Sequence, residues 1–466
     1  MESEEHMTKG VKILLGDPKK AILKLSAPMM LAMLLQAVYN IADGIWVAGL
    51  GADQLAAVGL FFPFFMIIVA LGAGIGVGGS SAVSRRIGER NKKAADYTAA
   101  HTIVFAIGLS LVISMGALPF TGELFRSLSG NGEVGRMAAN YARILFAGTF
   151  ILVFSHIANA LLRGEGAAKK SMYGLALGSC LNIVLDPLFI YGFKLGVAGA
   201  AWATLISIAI SAVLFFYWLF IQKKTYLRIT FHDFKPDMKI LREILSVGFP
   251  SSLAQLSMSA AMIVLNIVVI QAGGTDGVAV FTSGWRIVMV GTIPLMGMAT
   301  GVVSVTGAAF GAQNKEKLKT SFLYAVKIGV LIELGIGILV ALFAGHISYI
   351  FSYSEKASRI QDDLINFLRI TAIFYPTVPL GMLTSAMFRG IGKGTRSLIV
   401  TILRTIILQV PMCYLLGITF GLGLNGVWTG IVAGNVAAVG ITFPWGKYTV
   451  EHVIKKRAAL ENEAAL

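Results

Sequence analysis

The chain has 466 residues, of which 56% are hydrophobic and only 14% charged, and its mean hydropathy is +0.76. Apolar stretches of about 20 or more residues recur, the length that a helix needs to cross a bilayer, so the composition excludes a soluble globular protein. The formal net charge of +15 is also typical of nucleic-acid binding, but the basic residues occupy short segments between apolar stretches, as membrane orientation requires. We expect a lipid bilayer as partner and no nucleic acid.

The first 22 residues are polar, and the apolar run after them is too long for a signal-peptide core and has no small-residue cleavage site. We therefore expect the first helix to stay in the mature protein. Cys180 and Cys413 lie in apolar runs without metal-type spacing, which predicts two free, buried thiols. No ligand spacing of histidines and no nucleophile motif occurs, so we expect neither an enzyme nor a cofactor.

Apolar runs of membrane length predict twelve helical spans. They are 23–49, 55–84, 97–120, 138–162, 172–192, 197–221, 241–271, 277–311, 321–351, 362–388, 397–418 and 424–446. Assigning the connecting segments alternately to the two sides of the membrane places 29 Lys and Arg residues on the side of the N-terminus and five on the other. This asymmetry predicts that both termini are cytoplasmic in an inner or plasma membrane.

The chain also contains an internal repeat. "ILKLSAPMM" (22–30) aligns with "ILSVGFPSS" (244–252), and "LLRGEGAAKKS" (161–171) aligns with "MFRGIGKGTRS" (387–397). Because each half has six spans, the halves share an orientation and are expected to be two six-helix bundles related by a pseudo-two-fold axis along the membrane normal. The predicted organisation is an N-terminal segment 1–22, a lobe 23–221, a linker 222–240, a second lobe 241–450 and a tail 451–466.

Ionisable residues deep in a membrane span are costly and mark candidate functional sites. Three acids qualify here: Asp43, Asp186 and Glu333. Asp43 shares one helix face with Gln36, Tyr39 and Asn40, and Asp186 shares one with Ser179 and Asn182. The N-terminal half therefore carries two polar stripes.

Counted from the predicted outer helix ends, Asp43, Asp186 and Thr204 lie at similar depths, near 10 Å at about 1.5 Å per residue. With Asn182 they predict a cluster of oxygen ligands that binds H⁺ or Na⁺, since adjacent carboxylates resist ionising together. The alternative is a set of structural polar groups bonded to neighbouring helices. Pro28 and Pro187 supply a candidate kink on each acidic helix, although proline is common in membrane helices.

The C-terminal half lacks matching acids, because Leu265 stands at the repeat position of Asp43 and Met412 near that of Asp186. The sequence therefore confines coupling chemistry to the N-terminal half. For Glu333 we favour a packing or interfacial carboxylate over a residue that faces a cavity.

Several motifs together carry a family resemblance. They are "DGIWVAGLG" (43–51), "RGEG" (163–166), "LNIVLDPLFIYG" (181–192) and "GVAGAAWAT" (196–204). With the two-half layout, they make the chain similar to the multidrug and toxic compound extrusion family over nearly all of residues 17–450. Its paired acids resemble those of the DinF-like branch, especially the archaeal members.

The resemblance implies roles for individual positions. Asp43, Asn182, Asp186 and Thr204 match the branch's cation-coupling network, while Gln36, Tyr39 and Asn159 match its neighbouring drug pocket. Our depth estimate instead places Asn159 near the inner end of its span. The other main bacterial branch uses acids in the C-terminal half, and this chain has none at 255–265 or 370–388.

The resulting hypothesis is a monomeric secondary antiporter that exports amphipathic, cationic compounds in exchange for H⁺ or Na⁺. Asn40 and Ser179 are assigned to the substrate pocket with the matched residues, and Met66, Met258 and Met262 to a tolerant apolar wall, although lipid-facing or packing roles explain these methionines equally well. The alternative is a lipid or lipid-linked oligosaccharide flippase, which a large basic cavity favours. A channel would show flux without a coupled gradient.

Overall fold

The computed structural model describes residues 7–129, 132–222, 224–232, 234–353 and 358–463, and the regular structure in these ranges is helical throughout. Parts of the predicted terminal segments, residues 1–6 and 464–466, lie outside the described residues. The all-α class expected from the hydropathy pattern is confirmed.

Within the described residues, the N-terminal half contains nine α-helices. They are α1 (Lys9–Leu15), α2 (Pro18–Ala48), α3 (Ala52–Gly88), α4 (Lys92–Ala117), α5 (Thr121–Ser129), α6 (Glu133–Ala147), α7 (Thr149–Gly164), α8 (Ala168–Pro187) and α9 (Gly196–Phe216). Two π-helical turns, Leu188–Gly192 and Tyr217–Ile221, extend α8 and α9.

The part of the C-terminal half that the structure describes also contains nine. They are α10 (Met238–Gly291), α11 (Ile293–Gly311), α12 (Lys315–Leu342), α13 (Ala344–Ser352), α14 (Gln361–Thr371), α15 (Val378–Gly390), α16 (Gly394–Ile402), α17 (Gln409–Tyr414) and α18 (Gly423–Glu463). Short 3₁₀ or π segments connect them at Ser358–Ile360, Tyr375–Thr377, Leu403–Leu408 and Leu415–Thr419.

Among the described residues, eleven helical segments are long and apolar enough to span a bilayer, and α6 with α7, bent by 51°, makes a twelfth. The long α10 combines two helices across a break at Gly273 and Gly274, where Gly274 has φ +59°. The predicted seventh and eighth spans therefore meet at these glycines. A left-handed backbone is cheap only for glycine, so the sequence marks this break.

The repeat is visible in the backbone of matched loops. Arg90 and Gln313, non-glycine residues at equivalent positions, have φ of +56° and +53°. The next residues, Asn91 and Asn314, both cap a helix by accepting a hydrogen bond from the N–H three residues on. The two halves therefore share local conformations even where their side chains differ.

The two halves pack through α2 and α3 against α10 and α11, along glycine-rich surfaces. A Cβ added at Gly297 would lie 2.5 Å from the backbone nitrogen of Met30. One added at Gly78 would lie 2.3 Å from the carbonyl oxygen of Ile244 on α10, so these glycines allow close helix packing. We call the end of the molecule that carries the loops 165–167 and 391–393 the inner end, because the sequence predicts that these loops are cytoplasmic.

An ion-pair cluster joins the two halves at the inner end. Glu243 of α10 accepts hydrogen bonds from Arg85 at 2.9 Å and from Arg86 at 2.8 Å, both at the end of α3. Arg85 is 5% exposed and also donates to the carbonyl of Gly390, at 3.2 Å. This cluster holds the inner ends of the halves together in the present conformation.

The linker lies against the N-terminal half. The N–H of Leu227 donates to Glu165 at 2.9 Å, and the N–H of Arg228 donates to Asp96 at 2.8 Å. Farther along, the N–H of Asp237 donates to His101 at 2.9 Å. The described part of the linker is therefore bound to one lobe until α10 begins.

Both cysteines are free, as predicted, but only Cys413 is buried. The prediction that Cys180 is buried was wrong. An apolar neighbourhood in sequence does not distinguish a helix face that packs against protein from one that faces lipid. Ser179 is buried, whereas the next residue, Cys180, is on an exposed face of the same helix.

Candidate cation-coupling site

The polar stripes of α2 and α8 meet in the outer part of the N-terminal half. Asp43 and Asp186 lie on the facing stripes and interact electrostatically. Asn182 donates from Nδ2 to Oδ1 of Asp186 at 3.3 Å, and its Nδ2 lies 3.5 Å from Oγ1 of Thr204 on α9. The structure thus brings together the four residues that the sequence assigned to one cluster.

The proximity of the two acids limits their combined charge. Adjacent carboxyl groups resist ionising together, because each carboxylate raises the cost of charging the other. Asp186 is fully buried and Asn182 is 2% exposed, so water does not supply the missing partner freely. The pair therefore functions as one acidic unit that holds a proton or another cation.

Three oxygens of the cluster are buried and have no hydrogen-bond partner within the described residues. They are Oδ1 of Asp43, Oδ1 of Asn182 and Oδ2 of Asp186. Buried polar atoms in native proteins are almost always satisfied, so these orphaned acceptors call for a bound species. Carboxylate and amide oxygens are ligands suited to a hard cation such as Na⁺, and they equally accept a proton.

Local structure fixes the two acidic helices together. α8 ends at Pro187 and continues as the π-helical turn Leu188–Gly192, a form that occurs frequently at functional sites. Tyr191 in this turn donates from its hydroxyl to the carbonyl of Trp46 at 2.6 Å. The outer ends of α2 and α8 are therefore tied beside Asp43 and Asp186.

A residue that sequence reasoning missed completes the neighbourhood. Tyr141 of α6 is 7% exposed and interacts electrostatically with Asp43 and Asp186. Tyr39, predicted for the pocket, interacts with the same two acids. A tyrosine on the polar face of the segment 133–147 was the only sequence signal for Tyr141, and nothing in one sequence says that this side chain lies near the acid pair.

The remaining predicted pocket residues do not form one group. Gln36 is partly buried and Asn40 exposed, one to two turns inward from Asp43, while Ser179 is buried on α8. Met66 and Met262 are partly buried and Met258 is 47% exposed. None of these forms a hydrogen bond with the acid pair within the described residues, and their assignment to a substrate pocket stays a prediction.

Asn159 lies elsewhere. Its Nδ2 donates to the carbonyl of Ser171 at 3.2 Å, near the start of α8. Ser171 is fifteen residues before Asp186 on that helix, which corresponds to about 22 Å. The structure therefore places Asn159 in the inner part of the lobe and not beside the acid pair.

One acidic group outside the membrane-spanning segments is also perturbed. Glu165 lies in the inner loop between α7 and α8 and is 1% exposed. Burial raises the pKa of its carboxyl to about 7, and the hydrogen bond from the N–H of Leu227 opposes this only in part. The attachment of the linker therefore includes a group that titrates near neutral pH.

Comparison with known proteins decides the family. The MatE family model matches residues 28–188 and 250–415, one match in each half of the chain. The chain belongs to the MatE family.

Relatives and solved structures agree with the MatE assignment. The multidrug export protein MepA of Staphylococcus aureus strain MRSA252 is 28% identical over 425 residues, covering 90% of this chain and 92% of MepA. A crystal structure of MATE in complex with MaL6 is 53% identical, with TM-score 0.94, over 97% of this chain and all of that one. A MOP superfamily transporter from Pyrococcus furiosus is 53% identical, with TM-score 0.92, over 96% and 99% of the two chains.

These matches confirm the predicted resemblance and the membrane-transporter fold. MatE proteins form a family of multidrug efflux transporters and not of enzymes, as the sequence led us to expect. The chain is a multi-pass membrane protein of this family.

Proposed function

We propose that this MatE protein is a secondary antiporter that exports amphipathic, cationic compounds in exchange for H⁺ or Na⁺ across the plasma membrane, with both termini in the cytoplasm. The observation that carries the proposal is the cluster of Asp43, Asn182 and Asp186, in which one buried acceptor oxygen of each residue has no hydrogen-bond partner within the described residues. Two adjacent acids without a bound cation are unfavourable, so release of one cation favours binding of another.

Coupling follows from competition for the same charge. A cation on the acid pair lowers the negative charge that attracts a cationic compound to the N-terminal lobe, so each ligand weakens binding of the other. Each positive charge that moves inward gains about 2.3 kcal/mol per 100 mV of membrane potential. The gradient of the coupling cation therefore drives export.

The lobes 23–221 and 241–450 would rock about the shared contact of α2 and α3 with α10 and α11. The bridge from Glu243 to Arg85 closes the inner end, so the present conformation suits binding of the coupling cation from outside. Opening this bridge would expose the inner side for loading of the exported compound. The two halves keep their own packing during this motion.

The test is efflux of ethidium, a cationic amphipathic dye, from reconstituted vesicles with a pH gradient or a Na⁺ gradient imposed separately. Asp43→Asn and Asp186→Asn are expected to abolish gradient-driven efflux. Asp53→Asn, which removes an exposed carboxylate in the first turn of α3, is the matched control and should transport normally. Full gradient-driven efflux by both site variants would refute the proposal.

A second candidate, a lipid or lipid-linked oligosaccharide flippase, draws on a different residue. Arg404 packs its side chain against Gly381 between α15 and the helix that carries Val439, and no carboxylate in the described residues is paired with it. The Pyrococcus furiosus structure is described as having a binding pocket of reversed polarity that suggests a different function. If neither gradient drives ethidium, and Arg404→Gln abolishes flipping of a fluorescent anionic phospholipid, the flippase function replaces the antiporter.

A further inference from the structure

The C-terminal half contains a buried acid of its own. Glu333 on α12 is 0% exposed, and neither of its carboxyl oxygens has a hydrogen-bond partner within the described residues. An unpaired charge in such a place is strongly unfavourable, so the carboxylate must be accompanied by a cation. A role in helix packing alone does not explain a buried acid whose two carboxyl oxygens have no hydrogen-bond partner within the described residues.

Neighbouring glycines show what Glu333 faces. One turn before it, a Cβ added at Gly329 would lie 3.1 Å from Cβ of Pro379. One turn after it, a Cβ added at Gly337 would lie 3.4 Å from Cβ of Tyr375. Residues four apart lie on one helix face, so Glu333 faces the segment between Tyr375 and Pro379.

That segment is the break in the tenth span. α14 ends at Thr371, a 3₁₀ turn covers Tyr375–Thr377, and α15 begins at Val378. Pro376 has no N–H, so the carbonyl of Ala372 loses its usual helical donor, while the carbonyl of Tyr375, four residues before Pro379, accepts a hydrogen bond from the N–H of Val378. Backbone of this kind inside a membrane is tolerated where protein groups surround it.

Tyr375 is the second polar group at the break. Its side chain is 0% exposed, and its hydroxyl has no hydrogen-bond partner within the described residues. A Cβ added at Gly291, where α10 ends, would lie 3.1 Å from this hydroxyl. Tyr375 and Glu333 interact electrostatically, so two unsatisfied polar side chains lie close together.

The charged surroundings of Glu333 are simple. α12 packs against α2, α10, α11, α13, α14, α15, α18 and the 3₁₀ turn Tyr375–Thr377, and no charged side chain on these elements, within the described residues, acts on the Glu333 carboxyl. Tyr375 is the titratable group that faces it. Three side-chain oxygens are few for a metal cation, which takes six or more oxygen ligands when it is hard and divalent. A proton fits the site better.

We propose that Glu333, with Tyr375 beside it, is a second proton-binding site, in the C-terminal lobe. The Glu333 carboxylate takes up one proton to become the neutral acid, whose O–H can then donate to the Tyr375 hydroxyl oxygen or to the carbonyl of Ala372. Loss of the proton leaves an unpaired charge at the break and favours entry of water there. This inference adds a protonatable group to the proposed antiport and rests on it for its role in transport.

Infrared spectroscopy tests proton occupancy without any transport. In vesicles at neutral pH, the Asp43→Asn/Asp186→Asn variant should still show a C=O band of protonated carboxyl, and adding Glu333→Gln should remove intensity from it. Glu316→Gln, which removes an exposed acid from the start of the same helix, should leave the band unchanged. Equal intensity with and without Glu333→Gln would overturn the proposal.

Tyr375→Phe should shift the frequency of the Glu333 band without abolishing it, because only the neighbouring hydroxyl is lost. If Glu333→Gln does not fold, Glu333→Asp keeps a carboxyl at the position and should move the same band, and an unmoved band then overturns the assignment. These readouts remain valid if no gradient drives ethidium, so failure of the antiport and failure of the Glu333 site are distinguishable.

A second experiment measures, in reconstituted vesicles, the number of protons moved per ethidium molecule exported. Glu333→Gln should lower this ratio relative to the unmodified protein, while Glu316→Gln should not change it. A lowered ratio supports the role of Glu333 in coupling. An unchanged ratio in a variant that has lost the infrared intensity would overturn that role.

Discussion

Removing the charge of Glu243 should open the inner end of the transporter. Glu243 accepts one hydrogen bond from Arg85 and one from Arg86, and its side chain is 25% exposed while that of Arg85 is 6% exposed. Hydrogen bonds to charged groups contribute about 1.5–3 kcal/mol each. Because Glu243→Gln keeps one acceptor and the site is partly solvated, we expect a net loss of about 2 kcal/mol from the closed state.

This energy applies only to conformations in which the two halves meet at the inner end. A loss of about 2 kcal/mol corresponds to a shift of roughly 30-fold in the equilibrium towards the inner-open state. Arg85 retains Gly390 and Ser81 as partners, so the variant should still fold. The expected phenotype is therefore conformational.

Distances between spin labels measure the shift. Lys93→Cys and Glu316→Cys, in a background without Cys180 and Cys413, place labels on exposed repeat-related positions at the inner ends of α4 and α12. Glu243→Gln should add a population with a longer distance.

The control variant makes the same Glu-to-Gln substitution in an ion pair that does not join the two halves. Glu133→Gln breaks an exposed 3.4 Å pair with Arg136 within one helix, and exposed pairs contribute little. It should leave the label distances as they are. A Glu243→Gln distribution identical to that of Glu133→Gln would show that the bridge does not hold the inner end closed.

Two further predictions concern stability. The pKa of Glu165 in the folded protein is about 7, above its ordinary value of 4.5. Between these two pH values the folded state binds more protons than the unfolded state, so the contribution of Glu165 to stability falls as pH rises from 4.5 to about 7. Glu165→Gln, which mimics the neutral acid, should therefore raise Tm above neutral pH and have little effect near pH 4.5; a Tm difference independent of pH would contradict this. Gly297→Ala should lower Tm, because overpacking against the Met30 backbone costs about 1–3 kcal/mol. Gly335→Ala, where a Cβ meets nothing within 4 Å, is its control and should leave Tm unchanged or slightly raised; equal losses of Tm in the two variants would argue against close packing at Gly297.

Helical periodicity and depth were sufficient to predict the acid cluster. Asn182 and Asp186 lie one turn apart on α8, and Asp43 lies at a similar distance from its helix end, so their meeting follows from spacing once the spans are known. Tyr141 could not be found in this way, because periodicity defines a helix face and not the helix that packs against it.

Other features depend on tertiary packing from the start. Arg85, Arg86 and Glu243 look in sequence like the ordinary charges that flank membrane spans. Only the folded chain shows that two of them converge on the third across the interface of the halves. Glu333 is the reverse case, since its depth was evident from sequence but its two unsatisfied oxygens and its position at the proline break were not.

The bound linker limits how far the halves can travel apart. Because Asp237 is held by His101 and α10 begins at Met238, the free tether between the lobes has almost no length, although the linker has more than a dozen residues. A fully free chain of that size would span tens of ångströms. The inner end of α10 must therefore pivot close to α4, and any wide inner opening has to come from the helices that lie farther from this anchor.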